Sequence, residues 1–240
     1  MITKLTILIP LYNEETTILT ILNQVTSVTL TNKIDKEIIV IDDKSTDKSK
    51  SLVEQFIKKN TNSNIKLFSH LENMGKGACL HTGISKASGE YLIIQDADLE
   101  YYPEEYNLLL NPVLKNQADV VYGSRFMGKQ PKRILYFWHY QGNKFLTFLS
   151  NLSTNLNLTD METCYKLFKT EIIQSVPLNE KRFGFEPEIT AKIARIKHLR
   201  LYEVGISYHG RFYHEGKKIG WKDGFRAIYC IIKYGFLKMS

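Results

Sequence analysis

Short apolar runs, each closed by a polar or acidic residue, alternate along the first half of the chain with stretches whose apolar residues recur at helical spacing. Thr6-Ile-Leu-Ile-Pro10, Glu37-Ile-Ile-Val-Ile41, Asn64 to Phe68, Tyr91-Leu-Ile-Ile94 and Asp119-Val-Val-Tyr122 read as strands. Unbroken apolar runs of this length mark strands covered on both faces, as in parallel sheets. Between them, Ile18, Leu19, Ile21, Leu22 and Val25 keep one helical stripe, and Leu52, Val53, Phe56 and Ile57 keep another. Glu14 and Glu15 are expected in the first turn of the first helix, where the dipole favours negative charge. Ser45 or Thr46 is expected to cap the second. A third helix runs from Lys76 towards Ala87, stopped by Ser88-Gly89, and Pro103 begins a fourth. Strands alternating with helices at this interval predict an α/β domain with a mostly parallel central sheet and right-handed crossovers.

The pattern changes near residue 125. The second half is richer in aromatics and less periodic. Met127 to Arg133 is a basic loop, and Tyr136 to Tyr140 and Phe145 to Leu149 are apolar and aromatic. Leu167-Phe168 and Leu201 to Ile206 read as further strands, and Phe183-Gly-Phe-Glu-Pro-Glu188 opens a helix continued by Ile189, Ile193 and Ile196. A last helix from Trp221 carries the stripe Trp221, Phe225, Ile228, Tyr229 and Ile232. This stripe and the Tyr136 to Tyr140 segment admit two readings, ordinary core or a shallow hydrophobic surface at a bilayer. No repeat or linker divides the chain, so one domain is expected over residues 1–240, with functional halves 1–124 and 125–240.

Hydrophobic residues make up 43% of the 240 and charged residues 24%, enough to bury a core. The net charge of +7 favours an anionic partner. The basic residues do not gather on one reading element, so no nucleic-acid partner is expected. Cys79, Cys164 and Cys230 are widely spaced and read as reduced thiols of a cytoplasmic protein. No run reaches the ~18 consecutive apolar residues of a spanning helix, and no secretory signal opens the chain.

The densest chemistry follows Tyr91 to Ile94. Asp96 and Asp98, at i and i+2 beyond a buried strand, can point to one side. Such a pair repels itself unless a cation intervenes, and Mg²⁺ takes one or two protein carboxylates and completes its shell with water and phosphate oxygens. Open α/β sheets place ligands at this end of their strands. Pro10 to Glu14 and Asp42-Asp43 fall at the same end of two other strands.

In this order, Ile9-Pro-Leu-Tyr-Asn-Glu14, Val40-Ile-Asp-Asp-Lys-Ser45, Asn73-Met-Gly-Lys-Gly77 and Gln95-Asp-Ala-Asp98 resemble the nucleotide-sugar-binding half of family 2 glycosyltransferases, which have the GT-A (Rossmann-like) fold. Gly123-Ser-Arg-Phe126, Asp160-Met-Glu-Thr-Cys-Tyr-Lys166 and Gly205 to Lys218 look like the polyprenyl-phosphate branch, the dolichyl-phosphate mannose or glucose synthase type. The resemblance implies that Pro10, Tyr12, Glu14 and Asp43 hold the nucleotide, with Asp42 supporting the loop or joining them. Lys76 would pair with the diphosphate. Asp96 and Asp98 would bind Mg²⁺ or Mn²⁺, Asp98 being directly catalytic. Residues 125–240 would form a helical and aromatic acceptor region.

A lipid monophosphate is already ionised near neutral pH and attacks without a general base, so its site needs cations. Arg125, Arg133 and Arg211 are the candidates. Glu162 stands where relatives that use a hydroxyl acceptor carry a base; here it positions the sugar or supports the loop, and acts as a base only with a hydroxyl acceptor. The expected reaction is inverting transfer of a hexose from GDP-mannose or UDP-glucose to a polyprenyl phosphate, at the cytoplasmic face of a membrane to which the protein binds peripherally. The alternative acceptor is a sugar hydroxyl of a polysaccharide or lipid-linked glycan.

Overall fold

The computed structural model describes residues 2–128, 133–134, 136–211 and 220–239. Seven strands form one sheet: β1 (Lys4–Leu11), β2 (Asp35–Asp42), β3 (Ile65–Ser69), β4 (Tyr91–Ile94), β5 (Val120–Ser124), β6 (Lys166–Lys169) and β7 (Leu201–Gly205). Their order across the sheet is β3-β2-β1-β4-β6-β5-β7. All neighbouring pairs are parallel except those of β6, which runs antiparallel to β4 on one side and to β5 on the other. Thus a strand from the second half of the sequence completes the sheet laid down by the first.

The helices are α1 (Ile18–Ser27), α2 (Ser49–Lys59), α3 (Lys76–Lys86), α4 (Tyr106–Leu114), α5 (Phe137–Thr154), α6 (Thr170–Ser175), α7 (Phe185–Ile193) and α8 (Trp221–Cys230), the last continuing as a π-helical segment, Ile231–Phe236. Alternation along β1 divides the core. Leu5, Ile7, Ile9 and Leu11 pack with α1, α2 and α4 on one face, and Leu8 packs with α3, α6 and α7 on the other. Burial on both faces is the reason these strands read as continuous apolar runs.

Three local expectations are corrected. Helix α1 begins at Ile18, so Glu14 and Glu15 precede its first turn. Neither Ser45 nor Thr46 caps α2, which begins at Ser49. Both are engaged by Asn13 instead: its amide N–H donates to Ser45 Oγ at 3.1 Å, and its Oδ1 accepts from Thr46 N at 2.8 Å. Ile196 lies beyond α7, which ends at Ile193.

The stripe of α8 faces outward. Trp221 is 73% exposed and Phe225 66%, whereas Ala227, Cys230, Ile231 and Tyr234 turn inward. Trp138 at the start of α5 is 80% exposed. The core reading of both segments is therefore overturned. No helix among the described residues is long and apolar enough to cross a membrane.

Candidate active site

A cleft of about 700 Å³ opens over the carboxyl ends of β1, β2, β4 and β5. Pro10, Tyr12, Glu14, Asp43, Lys76, Asp96, Asp98, Arg125, Glu162 and Arg211 all line it. Asp42 and Arg133 do not. Asp42 Oδ1 accepts from Ser45 N at 3.2 Å, which steadies the loop after β2. The Arg133 main chain donates to Tyr208 O at 2.8 Å and its Nη1 to Gly210 O at 3.1 Å, so Arg133 braces the segment after β7 from outside the cleft. Much of the basic loop and of the Gly205 to Lys218 motif, residues 129–132 and 212–219, lies outside the described residues.

The loop after β4 holds the paired aspartates. Asp96 is gripped by Lys76 Nζ, at 2.8 Å from Oδ1 and 3.1 Å from Oδ2. Burial opposes the Lys76 charge, but Asp96, then Cys164 and Glu186, outweigh it and raise its pKa well above the ordinary lysine value. Among the described residues no side-chain cation pairs with the Asp98 carboxyl at this range, Arg211 acting on it from further off. Burial, then the charges of Asp96 and Glu100, push its carboxyl well above the usual range. Leu99, between Asp98 and Glu100, sits in the left-handed region at φ 64°, a strained turn for a branched side chain. The donor set suits a hard divalent cation with few protein ligands: two carboxyls of one turn, one of them without a paired cation among the described residues.

Glu100 ties this turn to the segment after β7. It accepts from Tyr208 Oη at 2.8 Å and from Arg211 N at 2.7 Å. The Arg211 guanidinium is engaged on the same side: Nε donates to the Asp98 carbonyl at 2.8 Å, and Nη1 and Nη2 reach Glu14 at 3.2 and 2.9 Å. Glu14 thus meets the cleft as the partner of an arginine.

Asp43 is buried and satisfied. Its Oδ1 takes hydrogen bonds from His70 Nδ1 at 2.8 Å and Met74 N at 2.9 Å, and Oδ2 accepts from Gly75 N at 2.7 Å. With Cys79 it makes a trio whose donor atoms lie within 4.8 Å of one another, the only such His, Cys, Asp or Glu group among the described residues. Burial, then Asp43, push the Cys79 thiol up, and Asp43 clasps the glycine loop through the Met74 and Gly75 amides. Gly75 adopts φ 98°, and a Cβ there would meet Lys181 O and Arg182 Cγ at 2.6 Å. The loop 180–182 therefore backs the start of α3, where Ala78 N donates to Lys181 O at 3.0 Å. Glu180 is itself held by Arg226 of α8 at 2.7 Å and by Tyr234 Oη at 2.9 Å.

Arg125, at the end of β5, forks onto Asp160, with Nε and Nη2 each at 2.7 Å and its main-chain N at 3.0 Å. Asp160 is fully buried. Nη1 of Arg125 has no hydrogen bond among the described residues and belongs to a side chain lining the cleft. Glu162 lies near it. Its Oε1 is shut from solvent without a partner, and burial, then Glu186, push its carboxyl up to about 8.

Sequence reasoning missed Glu186, Cys164, Arg182 and Tyr208 as cleft residues. Glu186 opens α7, where an acidic residue reads as a partner of the helix dipole. Cys164 lies 2.8 Å from Lys76 Nζ. Nothing in its sequence position marks that contact. Cys79, Cys164 and Cys230 are all free thiols.

The sequence profile of glycosyl transferase family 2 matches residues 6–176. The chain is a family 2 glycosyltransferase. A dolichyl-phosphate beta-glucosyltransferase of Dictyostelium discoideum is 28% identical over 225 residues, 85% of this chain and 66% of that protein. A second, from Trichomonas vaginalis, is 26% identical over 74% of this chain and 56% of its own length. This glycosyltransferase thus spans less than two thirds of either relative. An uncharacterized protein of Methanocaldococcus jannaschii is 26% identical over 94% of the chain and 90% of its own. Among solved structures, glucosyl-3-phosphoglycerate synthase of Mycobacterium tuberculosis with Mn²⁺, UDP and phosphoglyceric acid superposes with a TM-score of 0.71 at 18% identity. That match covers 96% of this chain and 78% of the other. It establishes the GT-A fold for this glycosyltransferase.

The mouth of the cleft meets the exposed aromatic face. Trp138, Gly142, Trp221 and Gly224 line the cleft, and beyond them Phe137, Phe145, Phe225 and Tyr229 stand in solvent. Cations lie over this face: Lys144 over Tyr140, Lys222 over Trp221, and Arg226 and Lys233 over Tyr229.

Proposed function

We propose that this family 2 glycosyltransferase moves a hexose from a nucleotide sugar to a polyprenyl phosphate, with inversion, at a membrane surface. The carrying observation is the cleft itself. Its inner end has the aspartate turn and a lysine, its middle has Arg125 with a spare N–H edge, and its mouth opens onto an exposed aromatic and basic face. UDP-glucose is the first donor to test, because the named relatives are glucosyltransferases and the structural neighbour binds UDP. GDP-mannose is the second.

Asp96 and Asp98 would hold Mg²⁺ or Mn²⁺, and the ion, when bound, offsets the charge that builds on the leaving diphosphate. Pro10 and Tyr12 offer a flat apolar edge to the nucleotide, while Asp43 shapes the Asn73-to-Gly77 loop and Glu14 fixes Arg211. Lys76, beside the Asp96 carboxylate, would pair with the diphosphate. Arg125, oriented by Asp160, presents Nη1 to the acceptor phosphate. A phosphate oxygen forms the new bond to the anomeric carbon, and the bond from that carbon to the diphosphate oxygen breaks, its electron pair leaving with the nucleoside diphosphate. No proton need move. Burial, then Glu186, raise the Glu162 carboxyl, and a phosphate acceptor, already ionised, makes no demand on it as a base.

The exposed face of α5 and α8 suits headgroup depth, with aromatic side chains inward and cations at the phosphate level. A peripheral position at a membrane surface follows from this reading. The test is incubation with labelled UDP-glucose or GDP-mannose, Mg²⁺ and polyprenyl phosphate. A labelled, lipid-soluble product is expected. Transfer only to a glycan acceptor would overturn the reading.

A further inference from the structure

Away from the aspartate turn, a second set of ligand-type atoms converges on the cleft wall. Asp43 follows β2, His70 follows β3 and Cys79 lies in α3. The sheet brings the first two together: Asp42 stands opposite Ser69 in the β2–β3 pairing, and His70 N donates to Asp42 O at 2.8 Å. The start of α3 is tied to the same place, Cys79 N donating to Gly75 O at 3.2 Å and Gly75 N to Asp43 at 2.7 Å. His70 Nδ1 lies 2.8 Å from Asp43 Oδ1 and 4.0 Å from Cys79 Sγ, and the three ligand atoms fall within 4.8 Å of one another. A tetrahedral ion bound at roughly 2.0–2.3 Å needs its ligand atoms roughly 3.3–3.6 Å apart, so side-chain shifts of about an ångström would close this trio on one.

A carboxylate paired with an imidazole needs no ion, but three features here go beyond such a pair. A thiol completes the triangle. The far nitrogen of the ring, Nε2, lies 2.9 Å from Thr82 Oγ1, the outer bond that aims a ligating imidazole. Asp43 and Cys79 line the cleft and His70 does not, which leaves the cleft side for water as a fourth ligand. Asp43 would keep its bonds from Met74 N and Gly75 N and exchange only the one to His70. One sulfur, one imidazole nitrogen and one carboxylate oxygen select Zn²⁺ over Mg²⁺ or Mn²⁺, which prefer oxygen. Without an ion, burial, then Asp43, raise the thiol. A bound dication reverses that, and the thiol proton passes to solvent as the metal–sulfur bond forms.

We propose that Asp43, His70 and Cys79 form a second metal site, taking Zn²⁺ through Asp43 Oδ1, His70 Nδ1 and Cys79 Sγ, with Thr82 orienting the imidazole. The ion staples the loop after β3, and the glycine turn that follows it, to the end of β2. This site stands apart from the nucleotide-sugar reading, and neither depends on the other.

The test uses the full chain, reduced with a phosphine and stripped of metal by a chelator. It is titrated with Zn²⁺ by calorimetry in excess Mg²⁺, which blocks oxygen-only sites, and with Co²⁺ by absorption. A single Zn²⁺ per chain is expected, and a thiolate-to-cobalt charge-transfer band. Cys79→Ala should lose the band and bind Zn²⁺ at least about 100-fold more weakly, because changing an orienting partner alone already weakens metal binding by about 10- to 100-fold. Thr82→Val should show that smaller loss and keep the band. Cys164→Ala, which removes the other thiol of the cleft, should match wild type. Circular dichroism without metal checks the fold of each variant, and Cys79→Ser carries the same comparison should the alanine variant fold poorly. No Zn²⁺ binding by the wild type in excess Mg²⁺ overturns the inference. So does binding that the Cys79 variants leave intact, or a band lost in Cys164→Ala and kept in Cys79→Ala.

Discussion

Replacing Arg125 by alanine separates two roles that one side chain combines. Asp160 is fully buried and takes three hydrogen bonds from Arg125, two of them from the guanidinium at 2.7 Å. The alanine keeps only the main-chain N–H and strands a buried carboxylate, at a cost of about 3–5 kcal/mol. For a chain of this length each kcal/mol moves the melting temperature by roughly 2–4 °C. Arg125→Ala should therefore melt about 6–20 °C lower. Adding Asp160→Asn removes the stranded charge and should recover more than half of that loss. Acceptor use should not recover: a charge-assisted hydrogen bond to phosphate contributes about 1.5–3 kcal/mol, a rise of about 10- to 150-fold in the KM for polyprenyl phosphate. Scanning fluorimetry and initial rates at varied donor and varied acceptor read both effects. Recovery of the acceptor KM along with stability in the double variant would show that Arg125 only builds the fold. A wild-type melting temperature for Arg125→Ala would refute the buried-pair energetics.

Asp98→Asn should lower Mg²⁺-stimulated transfer by about 10²–10³-fold with an unchanged circular dichroism spectrum; near-normal rates at saturating Mg²⁺ would remove Asp98 from the metal site. Trp221→Ser with Phe225→Ser should weaken sedimentation with anionic lipid vesicles by about two orders of magnitude, taking about 1.5 kcal/mol for each shallowly inserted ring; unchanged sedimentation would mean that α8 faces something other than lipid. Glu37 is buried, and although burial acts to raise its carboxyl, bonds from Lys66, Thr6 and Ser88 hold it at about 2 against the usual 4.5. Its contribution is thus complete above pH 4.5 and fades as pH falls towards 2. Glu37→Gln should melt lower at neutral pH and lose less than wild type across that acid window; parallel curves would show that Glu37 is not held as described.

The donor half was legible because its signals are local. An apolar run buried on both faces and closed by an acid marks a strand end, and the strand ends after β1, β2 and β4 share one edge. What the sequence hides depends on partners far along the chain. Ser45 and Thr46 look like caps, but Asn13, 32 residues away from Ser45, engages both. Asp43 reads from the sequence as a nucleotide ligand alone, and only the fold shows the glycine loop placing its amides on it. The stripe of α8 has the same spacing whether it faces in or out; the smaller residues Ala227 and Cys230 set the inner side. Glu186 stood unrecognised because a helix start explains an acid equally well.

The reversed strand β6 links the two ends of the chemistry. A strand running against its neighbours begins where they finish, so the Asp160-to-Cys164 segment reaches the ligand edge before β6 enters the sheet. Because β6 is zipped to β4 on one flank and to β5 on the other, it works as a gauge block between the aspartate turn and Arg125. A slip of one residue in its register would turn Lys166 over and carry Glu162 out of line with both. The separation of the aspartate turn from Arg125 is thus set by main-chain pairing in the interior and not by the surface loops.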